Sequence, residues 1–238
     1  MKTKKIISHK FVIPALIAGF TIFGSCENDI EKVNQITRTN DMASLIVNEI
    51  ETIYTNEISL LKELKTKTQQ IFPHSIISIG DTPGLCQIEK IEGIDEIRPG
   101  NFVFFDCMQE KLGACTFNEV AVALACPIVE INAKQEKIVV YGGAIHLSKE
   151  FIAKDGSNFY GAVVKFENKK WSAPLEHVYV KSLSQEHGIL HCPKAKIKDF
   201  KVGDIIGILP VHSCLTANLM KGYYDFEGNY IDHMNNFE

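Results

Sequence analysis

The first periodic pattern of apolar positions lies between Met42 and about Gln70. Apolar residues recur there at steps of three and four, the spacing that lines one face of an α-helix. Pro73 ends the pattern because proline cannot continue a helix. The next apolar run, from Ser75 to Ile79, is closed by a Gly-Asp-Thr-Pro turn and predicts a short strand. A helix followed by a strand is typical of a parallel α/β unit.

A second unit of the same kind is predicted immediately downstream. Residues Ile94 to Ile97 lead into the turn Arg98 to Asn101, and the apolar run Phe102 to Phe105 predicts the next strand. The α/β part of the chain therefore contains roughly two or three strands.

After Gln109 the pattern changes to short β-type runs separated by turn residues, with no helical periodicity between them. The runs are Val120 to Ala125, Lys137 to Val140, Gly161 to Phe166, His177 to Val180 and Asp204 to Leu209. This pattern predicts a mostly antiparallel β domain.

The predicted fold class is therefore α/β plus β, with a boundary near residues 115 to 120. We divide the chain into a signal-like segment at 1–26, a partial α/β barrel segment at 27–117 and a β domain at 118–238. The paired glycines Gly142 and Gly143 predict a bend between the two larger domains.

Composition narrows the classes of function. The chain has 238 residues, 45% of them hydrophobic, which is enough for a sizeable core. A net charge of −4 provides no basic surface of the kind that phosphate backbones require, so nucleic acid is excluded as a partner. The seven cysteines are odd in number and form no CxxC pair, which argues against a disulfide scaffold and against a four-cysteine zinc site.

The amino terminus has the layout of a secretory signal. Basic residues precede an apolar run from Phe11 to Phe23, and Gly24 and Ser25 lead to Cys26. The order resembles a bacterial lipoprotein signal in which Cys26 is lipidated, which would anchor the protein at a membrane. The alternative is a buried barrel strand in a cytoplasmic protein, because an apolar run of about 13 residues is short of the roughly 20 that span a bilayer.

Two glycine-containing turns beside the predicted strands are candidates for phosphate binding. Gly80 and Thr82 belong to the first turn, and Gly100 and Asn101 belong to the second. Glycine allows backbone N–H groups to approach an anion, and a threonine hydroxyl adds a donor. Turns of this composition also occur for purely structural reasons.

His212 and Cys214 form a candidate metal site after the last β-type run. On extended backbone, residues two apart place their side chains on the same face. Imidazole and thiolate together suit zinc, with a position open for water or substrate. The alternative for such a pair is packing in the core.

Six segments follow one another in order between about Glu49 and Met220. They are Ser78 to Pro83 (SIGDTP), Arg98 to Phe102 (RPGNF), Tyr141 to Ala144 (YGGA), Leu183 to Gly188 (LSQEHG), Gly203 with Asp204, and Leu209 to Cys214 (LPVHSC). In this order they resemble the successive motifs of the D-serine dehydratase and D-threonine aldolase family, relatives of alanine racemase. The resemblance implies an α/β barrel that holds pyridoxal phosphate, followed by a β domain.

The resemblance also implies roles for single residues. It assigns the cofactor-phosphate turns to Gly80, Thr82, Gly100 and Asn101, and the metal ligands to His212 and Cys214. In this family the cofactor serves as electron sink, and the metal polarises the β-hydroxyl group that leaves as water. Cys214 stands where the aldolases tend to carry a carboxylate, which favours the zinc-binding dehydratase branch. The implied activity is a lyase that uses pyridoxal phosphate and Zn²⁺ on a β-hydroxy D-amino acid.

One departure from the family concerns the catalytic lysine. The family's Schiff-base lysine lies on the first barrel strand, and residues 1 to 48 contain no matching segment. A closed parallel barrel also takes eight strands, more than this chain supplies. Three interpretations follow: a second polypeptide or a second copy completes the barrel; the chain is a non-catalytic remnant that still binds metal; or it is an exported lipoprotein whose β domain serves interaction.

Overall fold

The computed structural model of the protein describes residues 42–154 and 156–233, and the side chains only from residue 46 onward. The predictions on residues 1–26, which concern the signal, the lipid anchor at Cys26 and the alternative buried strand, fall outside the described residues. Within the described ranges, no helix is both long enough and apolar enough to cross a membrane.

The predicted amino-terminal helix is confirmed as α1, Met42–Thr68. Its buried side chains recur every four residues, at Ile46, Ile50, Tyr54 and Ile58, so that one face covers the α/β segment. The helix carries Lys65 and Lys67 in its last turn, where positive charge complements the helix dipole.

A small parallel sheet follows α1. Strand β1, Ser78–Ile79, pairs with β2, Glu96–Ile97, in parallel register. The two are connected through the short helix α2, Thr82–Gln87, whose first turn is capped by the Asp81 carboxylate accepting a hydrogen bond from the Gly84 amide. Parallel pairing through a helix confirms the α/β character of this segment.

The predicted strand from Phe102 to Phe105 is wrong, because these residues form a tight turn. The Asn101 carbonyl accepts hydrogen bonds from the Phe104 amide (3.2 Å) and the Phe105 amide (2.8 Å), which closes the backbone on itself. Phe102 and Val103 are 58% and 71% exposed. Hydrophobicity alone suggested a strand, but these residues pair with no strand in the described part of the chain.

The β domain is a closed barrel of six antiparallel strands. In chain order the strands are β3 (Leu124–Asn132), β4 (Lys137–Tyr141), β7 (Gly161–Val164), β10 (Tyr179–Leu183), β11 (His187–His191) and β12 (Ile205–Pro210). They close in the order β10, β11, β4, β3, β12, β7. The predicted fold class, α/β followed by a mostly antiparallel β domain, is therefore confirmed.

Shorter elements surround the barrel. They are α3 (Cys107–Lys111), a 3₁₀ turn (Phe117–Glu119), α4 (Ala144–Leu147), the hairpins β5 (Ile152–Lys154) with β6 (Ser157–Phe159) and β8 (Phe166–Glu167) with β9 (Lys170–Trp171), α5 (Lys194–Ile197), α6 (Ser213–Met220), and the hairpin β13 (Gly222–Tyr224) with β14 (Tyr230–Asp232).

The barrel interior forms the main hydrophobic core. Alternate residues of its strands point inward, and the fully buried members include Ile128, Ile138, Val140, Leu190 and Ile208. A second cluster lies outside β7 and β12, where Cys107 of α3 packs with Leu209 and Val211. This second cluster attaches the α/β segment to the barrel beside the end of β12.

Candidate metal and cofactor site

His212 and Cys214 lie where β12 passes into α6. His212 has extended backbone and occupies the N-cap position of α6, whereas Cys214 lies in the first helical turn. The prediction that both sit on extended backbone is therefore wrong for Cys214. The side chains are nevertheless close enough for Cys214 to raise the pKa of His212.

The His212 ring has a second partner in Glu150. Glu150 Oε2 lies 2.6 Å from His212 Nδ1, and the two side chains are 31% and 36% exposed. The interaction with Cys214 and the contact with Glu150 raise the pKa of His212 to about 10, against the opposing effect of burial. Glu150 stands 62 positions before His212 in the chain, and no sequence motif pointed to it.

The donor chemistry at this position suits a metal, although only two ligand side chains meet there. No group of three or more His, Cys, Asp or Glu side chains is placed to hold a metal ion within residues 42–154 and 156–233. A neutral imidazole nitrogen and a thiolate are preferred zinc ligands. Because Nδ1 faces Glu150, Nε2 is the ring nitrogen left for a metal, and water or a substrate would complete the coordination.

The predicted phosphate turn touches the predicted metal pair. Cys214 Sγ donates a hydrogen bond to the Gly100 carbonyl oxygen at 3.5 Å. The two residues are 114 positions apart in the chain, so only the fold brings them together. The α/β segment and the β domain therefore meet at the candidate site.

A buried carboxylate, that of Asp106, holds this meeting point together. Asp106 is 1% exposed. Its oxygens accept hydrogen bonds from the Asn101 side-chain amide, the Gln109 backbone amide and the Ser213 backbone amide. Ser213 in turn donates its hydroxyl to the Phe105 carbonyl. One side chain thus connects the second glycine turn, the start of α3 and the residue between His212 and Cys214.

The two glycine turns are also joined directly. The Asn101 backbone amide donates to Thr82 Oγ1 at 3.2 Å, and both side chains are more than nine-tenths buried. A side chain at Gly80 would lie 3.0 Å from the Arg98 carbonyl oxygen, whereas one at Gly100 would meet no atom within 4 Å. The four residues assigned to phosphate binding therefore lie together, with open space at Gly100.

The Tyr141 to Ala144 segment lies within the β domain, so the predicted bend between domains is wrong. It follows β4 and contacts the turn between β10 and β11, with the Gly142 amide donating to the Glu186 carbonyl at 3.0 Å. A Cβ at Gly143 would lie 2.5 Å from three backbone atoms of residues 185–187, so only glycine fits there. This contact fixes α4, which packs against α6.

Sequence reasoning missed both carboxylates of the site, for different reasons. Asp106 is the N-cap of α3, and an Asp before a short helical run is a recognisable start signal. Its contact with the Ser213 amide could not be foreseen, because that contact spans 107 positions. Glu150 had no comparable local signal, since it follows α4 in an irregular segment.

Part of the chain is similar to known dehydratases. Residues 121–225 match the model of the serine dehydratase domain family. The D-serine dehydratase of Dictyostelium discoideum is 30% identical over 158 residues, which are 62% of this chain and 38% of that protein. The D-threo-3-hydroxyaspartate dehydratase of Delftia sp. (strain HT23) is 27% identical over 158 residues, 63% of this chain and 40% of the relative.

A solved structure shows the same fold. The alanine racemase-like protein of Idiomarina loihiensis superposes with a TM-score of 0.69 at 25% identity, over 80% of this chain and 52% of that one. The chain spans 38% of the length of the Dictyostelium dehydratase and 40% of the length of the Delftia dehydratase. Residues 121–225 thus resemble the serine dehydratase domain family, and the chain has an alanine racemase-like fold.

Proposed function

We propose that this chain forms the metal-bearing part of a D-serine dehydratase-like lyase that uses pyridoxal phosphate and Zn²⁺ on a β-hydroxy D-amino acid. The observation that supports the proposal is the hydrogen bond from Cys214 to the Gly100 carbonyl, because it joins a proposed metal ligand to a proposed phosphate-binding turn. In the proposed reaction, a metal that polarises the β-hydroxyl group and a cofactor that acts as electron sink would act on the same substrate, so their sites must be adjacent. The two dehydratase relatives support the same class of reaction.

The metal would be held by His212 through Nε2 and by Cys214 through Sγ. When bound, zinc supplies a Lewis acid for the departing hydroxyl group. The chain's own contribution is to hold the two ligands at a fixed spacing, because the Ser213 amide and hydroxyl between them are tied to Asp106 and Phe105. Cys214 would bind as thiolate and His212 as the neutral imidazole, so metal binding would release protons.

The phosphate of the cofactor would lie at the two joined turns. When bound, pyridoxal phosphate supplies the electron sink for the reaction. Thr82 Oγ1 accepts from the Asn101 amide and retains a hydroxyl hydrogen for an anion. Gly100 leaves room for close approach to the backbone. The Schiff-base lysine and the catalytic base are not assigned to any residue of this chain, and we propose that a second polypeptide supplies them.

Binding measurements on the purified full-length chain test this proposal. Wild type should bind one Zn²⁺ in competition with a chromophoric chelator, and His212→Ala and Cys214→Ala should each lose that binding. Calorimetry should show tighter binding of pyridoxal phosphate than of pyridoxal, and Gly100→Val should weaken only the phosphate form. Equal zinc binding by wild type and both ligand variants, or no preference for the phosphate form, would contradict the proposal.

The membrane anchor remains a separate proposal. We propose that residues 1–26 act as a lipoprotein-type signal and that Cys26 carries the lipid. Labelled palmitate should enter the wild-type protein in a bacterial host and be absent from Cys26→Ser, with Cys86→Ser as the control. Labelling of Cys26→Ser at the wild-type level would reject Cys26 as the lipidated residue, and absence of label from wild type would reject the proposal and favour the cytoplasmic alternative.

A further inference from the structure

The Glu150 carboxylate has a specific relationship to the proposed metal ligand His212. Its Oε2 lies 2.6 Å from His212 Nδ1, on the opposite side of the ring from Nε2. Both side chains are about two-thirds buried, so water weakens the interaction less than at an open surface. The contact is stronger than that of an ordinary exposed ion pair.

The local backbone is shaped to deliver Glu150 to this position. Helix α4 ends at Ser148, which has a φ of 67°, a region that non-glycine residues rarely occupy. Ser148 Oγ then accepts a hydrogen bond from the Glu150 amide at 3.2 Å. The strained residue therefore turns the chain out of α4, and its own side chain fixes the backbone of Glu150.

We propose that Glu150 is a positioning residue that orients the His212 imidazole and makes its Nε2 a better metal ligand. The inference rests on the proposed metal site. A carboxylate at Nδ1 holds the proton on that nitrogen, which leaves the lone pair on Nε2. It also increases the basicity of the ring and prevents it from rotating away from Cys214.

A graded pair of substitutions separates this role from simple packing. Glu150→Gln keeps the side-chain shape and one acceptor oxygen but removes the charge. Glu150→Ala removes the acceptor oxygen and the charge together. Zn²⁺ affinity, measured by chelator competition, should fall in the order wild type, Gln, Ala, with a total loss of about 10- to 100-fold, the usual effect of removing such a partner. Glu130→Gln, at an exposed position of β3, is the control and should bind as wild type does.

A spectroscopic measurement reports on the ligands themselves. In the Co²⁺-substituted protein, the thiolate-to-cobalt absorption should persist in Glu150→Gln but saturate only at higher Co²⁺ concentration. If Glu150→Ala fails to fold, as judged by circular dichroism, the isosteric Gln variant alone decides the question. Zinc affinity in Glu150→Gln within twofold of wild type, with the cobalt signal unchanged, would overturn the inference.

If the proposed metal site itself is wrong, a different set of results is expected. In that case His212→Ala and Cys214→Ala would also bind Zn²⁺ as wild type does, and no thiolate absorption would appear with Co²⁺. That result would reject both the metal site and the role of Glu150. If His212→Ala and Cys214→Ala lose Zn²⁺ binding while the Glu150 variants bind Zn²⁺ as wild type does, only the positioning role is rejected.

Discussion

The Asp106 carboxylate accepts a hydrogen bond from the Ser213 amide at 2.9 Å, across 107 positions of the chain. The same carboxylate accepts hydrogen bonds from the Asn101 side chain and the Gln109 amide. The position of the residue between the two proposed metal ligands therefore depends on a side chain of the α/β segment. Stability and metal binding should both respond to a change at Asp106.

Replacing Asp106 by alanine should destabilise the protein strongly. The substitution leaves three buried donors without an acceptor, and each orphaned group costs about 1–3 kcal/mol. We expect the free energy of unfolding in urea to fall by at least about 3 kcal/mol. Asp204→Ala is the matched control, because within the described residues its carboxylate accepts one hydrogen bond, from the Lys201 amide in an exposed turn, and it should cost less than about 1 kcal/mol. Equal losses in the two variants would contradict the role given to Asp106.

The same residue predicts a pH dependence of stability. Burial raises the pKa of the Asp106 carboxyl, although its hydrogen bonds and the nearby His212 act in the opposite direction. The folded state therefore holds this proton more tightly than the unfolded state does. The stabilising contribution is complete below the ordinary aspartate pKa of about 4 and is lost as the pH rises through the higher folded pKa.

Asp106→Asn removes this titration, so the comparison with wild type isolates it. Urea unfolding at a series of pH values should show wild type losing stability relative to Asp106→Asn as the pH rises from about 4. A difference between the two proteins that stays constant over the whole series would show that the folded pKa is not raised.

The barrel core predicts that alanine substitution at two isoleucines of β12 will reduce stability by different amounts. Ile208 is fully buried, whereas Ile205, three residues earlier, is 60% exposed. Ile208→Ala should cost about 3–4 kcal/mol, because it removes buried methyl groups and leaves a cavity. Ile205→Ala should cost less than about 1 kcal/mol. Thermal and urea unfolding of both variants measure the difference, and similar losses would contradict the closed barrel as described.

Substitution by alanine should affect stability differently at two glycines near the site. Gly143→Ala would place a methyl group 2.5 Å from backbone atoms of the loop between β10 and β11, and we expect a loss of at least about 2 kcal/mol. Gly100→Ala would meet no atom within 4 Å and should change stability by less than about 1 kcal/mol. Unfolding midpoints decide between these outcomes, and tolerance of alanine at Gly143 would show that the close backbone approach is absent.

Thiol reactivity should distinguish the cysteines. Burial raises the pKa of Cys126 to about 12, so this thiol should resist iodoacetamide until the protein is unfolded. Cys86 is exposed and Cys214 is half-buried, so both should be alkylated in the native state. Zn²⁺ should protect Cys214 and leave Cys86 unchanged, as peptide mass spectrometry would show. Equal protection of both, or of neither, would contradict zinc binding through Cys214.

Much of the architecture followed from the sequence because it rests on local patterns. The spacing of buried residues along α1 and the short β-type runs of the barrel are signals within about ten residues. The apolar run after Asn101 misled for the same reason, since its residues form a turn that closes on the Asn101 carbonyl. Hydrophobicity indicates burial, and it does not indicate whether a sheet is available to pair with.

The sequence indicated candidate site residues that are close together in the chain, but it did not indicate their distant partners. The positions of His212 and Cys214, two residues apart, gave a usable signal even though one of them turned out to be helical. Glu150 and Asp106 reach the same place across 62 and 107 positions, and no local pattern encodes such contacts. Partners at that distance are visible only in the folded chain.

The closed β-barrel has a consequence for how further strands could join this chain. Every neighbouring pair of its six strands is hydrogen-bonded, so it offers no unpaired strand edge for another strand. The parallel pair β1 and β2 has only two strands, and each therefore has one side that faces no strand within residues 42–154 and 156–233. Within the described residues, the parallel sheet of the α/β segment can therefore grow at Ser78–Ile79 or at Glu96–Ile97. A second polypeptide that completes the α/β barrel would pair with one of these two short strands, and the structure of the β domain would not change.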